Sequence, residues 1–166
     1  MQHDDHQFLM LRSTYEIICK KIDELQNRLN NEMPEILRQT YDTGGYWHDN
    51  AQWEHALKDQ EKMKQMLEEL VAYQGHAIII DDLDIKTDTV QVGVYVTIID
   101  LDSDETEEYF IGGPADVSYG NSNNEATIIS VFAPVAQPLL GKKMNEEVRV
   151  KLPSCERKLQ IVNIKN

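Results

Sequence analysis

Apolar side chains in the first half of the chain return to one face about every 3.5 residues. Ile18, Ile22, Leu25, Leu29, Met33 and Ile36 are spaced 4, 3, 4, 4 and 3 apart. Trp53, Ala56, Gln60, Met63, Leu67 and Leu70 follow with spacings of 3, 4, 3, 4 and 3. Such seams predict two helices that each bury a narrow stripe. Between them lies Tyr41-Asp42-Thr43-Gly44-Gly45-Tyr46-Trp47-His48, whose glycine pair breaks a helix. A link this short predicts an antiparallel two-helix coiled-coil hairpin over residues 1–74, with its tip at 42–50. A first helix of about 28 residues would be about 40 Å long. Pro34 sits inside it and predicts a kink or local break, because proline lacks the backbone donor and crowds the preceding turn.

The period changes in the second half. Ala77–Ile80 and Val90–Ile99 are rich in β-branched residues, and Glu107–Ile111, Glu125–Ser130, Glu147–Leu152 and Lys158–Ile164 are further strand candidates. Turn-forming clusters separate them: Asp102-Ser103-Asp104, Gly112-Gly113-Pro114, Gly120 to Asn124, and Pro153-Ser154. Pro134 to Leu140 predicts one short helix, ended by Gly141. Residues 75–166 are therefore expected to form an antiparallel β domain with one short helix, making the whole chain α+β.

Charge narrows the partners. The 166 residues carry a formal charge of −13. Residues 1–74 hold 14 acids and 8 bases, net −6, and residues 75–166 hold 15 acids and 8 bases, net −7. Neither half suits independent sequence-specific DNA binding, which rests on clustered Lys and Arg. An acidic protein can still meet a basic protein surface. No apolar run approaches the roughly 18 residues of a membrane span. The polar start Met1-Gln2-His3-Asp4-Asp5-His6 does not read as a signal peptide, so a cytoplasmic location is expected. Cys19 and Cys155 have no partner at metal-ligand spacing and are expected to be reduced thiols.

Several segments carry a family resemblance. The run Ile129-Ser130-Val131-Phe132-Ala133-Pro134-Val135-Ala136-Gln137-Pro138-Leu139-Leu140-Gly141-Lys142-Lys143 is similar to the segment of the Gre transcript-cleavage factors that ends in Leu-Leu-Gly-Lys-Lys. Val90 to Glu105 is similar to a hairpin of that family's β domain, and Glu147–Pro153 with Leu159–Val162 resembles its closing hairpin. In the first half, Pro34-Glu35-Ile36 matches an element of the family's first helix and Asn50-Ala51 the start of its second.

The resemblance implies a bacterial RNA polymerase as partner. An FKBP-like β domain would dock at the rim of the secondary channel, using Phe132, Ala133 and Pro134. The coiled coil would enter the channel and meet the nascent RNA 3′ end, with Lys58 and Lys62 facing RNA. Tip acids would share a Mg²⁺ with the polymerase active site, since Mg²⁺ takes hard oxygen ligands and keeps several waters. That second metal would activate the water that cuts backtracked RNA. Such a factor is not itself an enzyme and has no cofactor of its own. Here the tip departs from the family pattern. Tyr46 stands at the first tip-acid position, Asp49 at the second, and Asp42 is the candidate for a second carboxylate.

Each of these residues has a plainer reading. Asp49 could cap the second helix, with Gln52 three residues on. Tyr46 and Trp47 could pack over the glycine turn or contact the polymerase or RNA, and His48 could be a solvated loop residue. Lys58 and Lys62 could be a solvated helix face, and Phe132 a core residue. Asp100, Asp102 and Asp104 have the spacing that opens a calcium loop, but Glu105 and Ile111 fill its sixth and twelfth places, so an acidic turn is expected. Two further functions fit the same layout: a secondary-channel regulator that does not promote cleavage, and, remotely, an FKBP-like prolyl isomerase or chaperone.

Overall fold

The computed structural model of the chain describes residues 8–43, 50–81, 85–120, 126–153 and 155–166. They fall into two compact units: residues 17–75, and the described residues of 1–16 together with those of 76–166. The change of period near residue 75 therefore marks one boundary. The start of the chain, expected to belong with the hairpin, is part of the second unit.

In the first unit, α1 (Arg12–Asn27) leads through a π-helical turn (Arg28–Glu32) into α2 (Met33–Thr43), and α3 (Ala51–His76) returns. The two directions are antiparallel. Gln74 near the end of α3 donates to Cys19 Sγ of α1 at 3.3 Å, while Asn50 before α3 donates to the Thr40 carbonyl near the end of α2 at 2.7 Å. Ile18, Ile22, Met33, Ala56 and Leu70 of the two seams are buried, each large side chain contributing about 1.5–3 kcal/mol of transfer free energy.

The expected disturbance at Pro34 takes a specific form. Met33 N–H donates to the Arg28 carbonyl, five residues back. The widened turn ends two residues before the proline. It accommodates a ring that would otherwise press on the carbonyl four residues earlier.

The second unit holds a five-stranded sheet in the order β5-β4-β3-β7-β6. Its strands are β3 (Tyr95–Asp100), β4 (Thr106–Gly112), β5 (Thr127–Ser130), β6 (Glu147–Lys151) and β7 (Glu156–Lys165). Alternation along β3 and β6 puts Val96, Ile98, Val148 and Val150 on the core face, where they meet Ile111, Leu139, Leu159 and Ile161. Pairings β3–β4, β3–β7 and β6–β7 are antiparallel.

The pairing of β4 with β5 is parallel, because α4 (Pro114–Tyr119) lies between them. Read as turn, Gly112-Gly113-Pro114 in fact opens this helix. The helix expected over Pro134–Leu140 is α5 (Ala136–Leu139). The long strand expected from Val90 begins only at Tyr95. Gly93 adopts a φ of +94°, and its amide bonds the Ile111 carbonyl at 2.7 Å. Val90 and Val94 are buried on either side of this turn and serve the core instead of a ladder.

A separate two-stranded parallel pair joins β1 (Leu9–Leu11) to β2 (Ile78–Ile80). One buried acid holds it. Asp116 of α4, 1% exposed, accepts from Leu11 N–H at 3.0 Å and from Gly113 N–H at 2.7 Å. Gly113 permits the approach, since a Cβ there would stand 1.9 Å from the Leu9 carbonyl oxygen.

The acidic β3–β4 turn is likewise committed. Asp100, 6% exposed, accepts from Asp102 N–H at 2.9 Å and from Arg157 Nε at 2.5 Å. Arg157 also bonds Glu107 at 3.0 Å. Arg157 holds the carboxyls of both Asp100 and Glu107 below their ordinary range.

Replacing Asp116 with Ala leaves two buried N–H groups without their acceptor, at about 1–3 kcal/mol each. Gly113→Ala forces β1 away and should destabilise by about 3 kcal/mol. Urea unfolding measures both losses, and amide exchange at Leu11 should accelerate in each variant. Unchanged Leu11 exchange would contradict this account of β1.

Candidate functional site

The two helix ends at the hairpin tip are tied by one side chain. Asn50 occupies the N-cap of α3: its Oδ1 accepts from Trp53 N–H at 3.1 Å, and its carbonyl accepts from Glu54 N–H at 3.1 Å. Its Nδ2 donates across to Thr40 O. The orientation of the amide is fixed by chemistry, because Trp53 N–H can only donate and the Thr40 carbonyl can only accept. Tyr41 and Trp53 add an edge-on ring contact with centroids 6.1 Å apart.

This corrects the expected cap. The helix starts at Ala51, so the capping position belongs to Asn50 and its third residue is Trp53. Gln52 therefore does not hold the third place. Both Asp and Asn are strong caps, and the pair Asp49-Asn50 left a one-residue ambiguity. Tyr46, Trp47, His48 and Asp49 themselves lie outside the described residues, as does any convergence of Asp49 with Asp42.

Asp42 lies in the last turn of α2 and is exposed. Its carboxylate sits 3.4 Å from Arg38 Nη1. Arg38 is shared: Nη2 and Nε meet Glu35 at 2.8 and 3.0 Å, and Gln39 Nε2 bonds the same carboxylate at 2.7 Å. The Arg38 bonds first, and that from Gln39 second, hold the Glu35 carboxyl down at about 2. Asp42 is the weaker partner by distance, and an exposed i,i+4 pair contributes only about 0.3–0.5 kcal/mol.

Lys58 and Lys62 are exposed on α3, and neither forms an ion pair among the described residues. A groove of about 340 Å³ opens between α2 and α3, with Met33, Ile36, Ala56 and Met63 on its apolar side and Arg28, His55 and Asp59 among its polar residues; Lys58 and Lys62 do not line it.

At the second candidate site, Ser130 organises the backbone. Its Oγ accepts from Phe132 N–H at 3.2 Å, and its carbonyl accepts from Ala133 N–H at 2.8 Å. Gln137 Nε2 bonds the Val131 carbonyl at 3.2 Å. Phe132 is 45% exposed, which rules out the core reading. Pro134 is exposed and Ala133 half-buried. The loop thus presents a large apolar side chain on a hydrogen-bonded frame, as an interface anchor requires.

Comparison with known proteins converges on one family. Residues 85–166 match the family model described as transcription elongation factor, GreA/GreB, C-terminal. The chain is 30% identical over 156 residues to transcription elongation factor GreA of Chloroherpeton thalassium, covering 94% of this chain and 95% of that one. It is 32% identical over 162 residues to the GreA of Staphylococcus saprophyticus, covering 96% and 97%. Among solved structures, the GreA factor homolog Gfh1 of Thermus thermophilus matches at 20% identity over 95% of this chain and 98% of that chain, with a TM-score of 0.41. The chain belongs to the GreA/GreB family of transcription elongation factors.

The Arg38 cluster makes a direct test of the electrostatics. A carboxyl whose folded value is depressed contributes stability above its ordinary value, near 4.5 here, and loses it as pH falls towards about 2. NMR titration should place Glu35 near the lower value in the native protein and move it upward in Arg38→Gln, with the remaining Gln39 bond still holding it below the ordinary value. An unchanged midpoint in Arg38→Gln would contradict the assignment.

Proposed function

We propose that this chain binds bacterial RNA polymerase at its secondary channel and modulates elongation by promoting cleavage of backtracked RNA. The cap at Asn50 is the observation that carries this reading. The second helix takes its capping bond from the neutral amide of Asn50, the residue next to the acid at the family's second tip position. That carboxylate, with Asp42 as its partner across the glycine turn, would hold a Mg²⁺ shared with the polymerase. The chain would act as an accessory factor with no catalytic centre of its own.

The remaining roles follow. Phe132, Ala133 and Pro134 would dock on the polymerase, with Phe132 entering an apolar pocket. Lys58 and Lys62 would face the RNA backbone. Tyr46, Trp47 and His48 would contact the active centre. No described helix is long and apolar enough to cross a membrane, and the site of action would be cytoplasmic.

A second reading has observations in its favour. Tyr46 supplies no carboxylate at the first tip position, and Asp42 faces Arg38. On this reading the protein occupies the channel and regulates the polymerase without promoting cleavage.

Cleavage of labelled RNA in a backtracked complex separates the two. Stimulation is expected from the native protein, and Asp49→Ala should return the rate to that of the complex alone. Phe132→Ala should raise the concentration needed by about 10-fold or more, as loss of an aromatic anchor does. Displacement of a channel-binding competitor without stimulation would establish the regulator instead. Absence of both stimulation and displacement would refute the polymerase reading.

A further inference from the structure

We infer that the open edge of β6 pairs with β6 of a second copy of this chain, in an antiparallel two-fold contact. The inference stands apart from the polymerase reading. β6 is the last strand of its sheet, and its register with β7 fixes which groups face outward. Ile161 N–H donates to the Glu146 carbonyl, and Leu152 N–H to the Cys155 carbonyl. Bonded pairs alternate along an antiparallel ladder, so Val148 and Val150 also bond β7. Glu147, Arg149 and Lys151 therefore present their backbone N–H and C=O groups to the open edge. No described strand pairs with them there. Their side chains are exposed, while Val148 and Val150 turn to the core.

The charges on the exposed face suggest the occupant. Arg149 lies directly opposite Lys158 of β7. Both are exposed, and neither forms an ion pair among the described residues. Like charges so placed destabilise a ladder. Charged side chains on an edge strand commonly repel other strands, but Lys158 is not on the edge: β7 is paired on both sides. A second β6, antiparallel and centred on Val148, sets Glu147 of each copy against Arg149 of the other. Arg149 then has an opposite charge on the side away from Lys158. Lys151 meets the neutral Asn145 of the second copy, and Val148 meets Val148. Outward backbone groups face outward backbone groups, so Glu147 and Arg149 of the two copies exchange N–H···O=C bonds. Centring on Arg149 would instead oppose two arginines. The favoured contact is isologous and closes on itself. With five residues a side it falls far below the roughly 20–30 of a standard interface, so it forms only at high protein concentration.

Sedimentation equilibrium of the full chain tests this, up to about 1 mM protein, where weak contacts register. Physiological salt limits repulsion between the acidic bodies, since the Debye length is then about 8 Å. The native chain should pass from monomer to dimer as concentration rises. Glu147→Arg and Arg149→Glu each turn two attractive pairs into two like-charge pairs, and each alone should associate about 10-fold more weakly. Mixed together, the two variants restore both opposite-charge pairs and should associate like the native chain. A net-charge effect would strengthen Glu147→Arg and weaken only Arg149→Glu. Amide exchange at Glu147 and Arg149 should slow with concentration in the native chain. A native chain that stays monomeric throughout, single variants that associate like native, or a mixture no better than its parts would each overturn the inference.

Discussion

A buried carboxylate of α4 ties β1 into the second unit. Asp116 takes the amides of Leu11 and Gly113, so the same group that steadies the start of α4 also holds β1. Leu11 is the last residue before α1, and the helix start inherits that anchor. Burying a carboxylate is costly unless its oxygens are satisfied, and here each oxygen meets an amide that would otherwise lack a partner. Gly113 completes the arrangement, because any side chain there would occupy the Leu9 carbonyl. A glycine, an acid and a strand remote in sequence thus form one constraint.

The hairpin solves a different problem. A seam of small and medium apolar residues must continue past Pro34, whose ring the preceding turn of an α-helix cannot accept. One π-helical turn absorbs the mismatch, and the seam resumes with Met33 buried directly after it. At the far end, the gap between the ends of α2 and α3 has to be closed. Asn50 closes it with two hydrogen bonds, and Tyr41 against Trp53 supplies the adjoining ring contact.

Much of this was legible in the residues. The 3.5-residue seams located both helices because burial on one face leaves a periodic trace. Most strands were legible for the same reason at a period of two. The misreadings share a cause. Val90 to Val94 look like strand because the core selects β-branched residues in a buried turn as readily as in a ladder. The helix α4 spans only six residues, too few for a period to show between its glycines. Asp116 gave no local signal, since its partner Leu11 lies 105 residues away. At the tip, adjacent Asp49 and Asn50 are both good caps, and only the three-dimensional position of Thr40 distinguishes them. Phe132 was ambiguous because an exposed anchor and a core residue have the same composition.

On the proposed function, the hairpin tip reaches the polymerase active centre. Placing a photo-crosslinking aromatic residue at Trp47 tests it most directly, in a complex carrying labelled, backtracked RNA. Crosslinks to the RNA 3′ end or to the catalytic subunit beside it are expected, suppressed by a channel-binding competitor. Stable binding of the protein to the polymerase with crosslinks confined to its outer surface would contradict it.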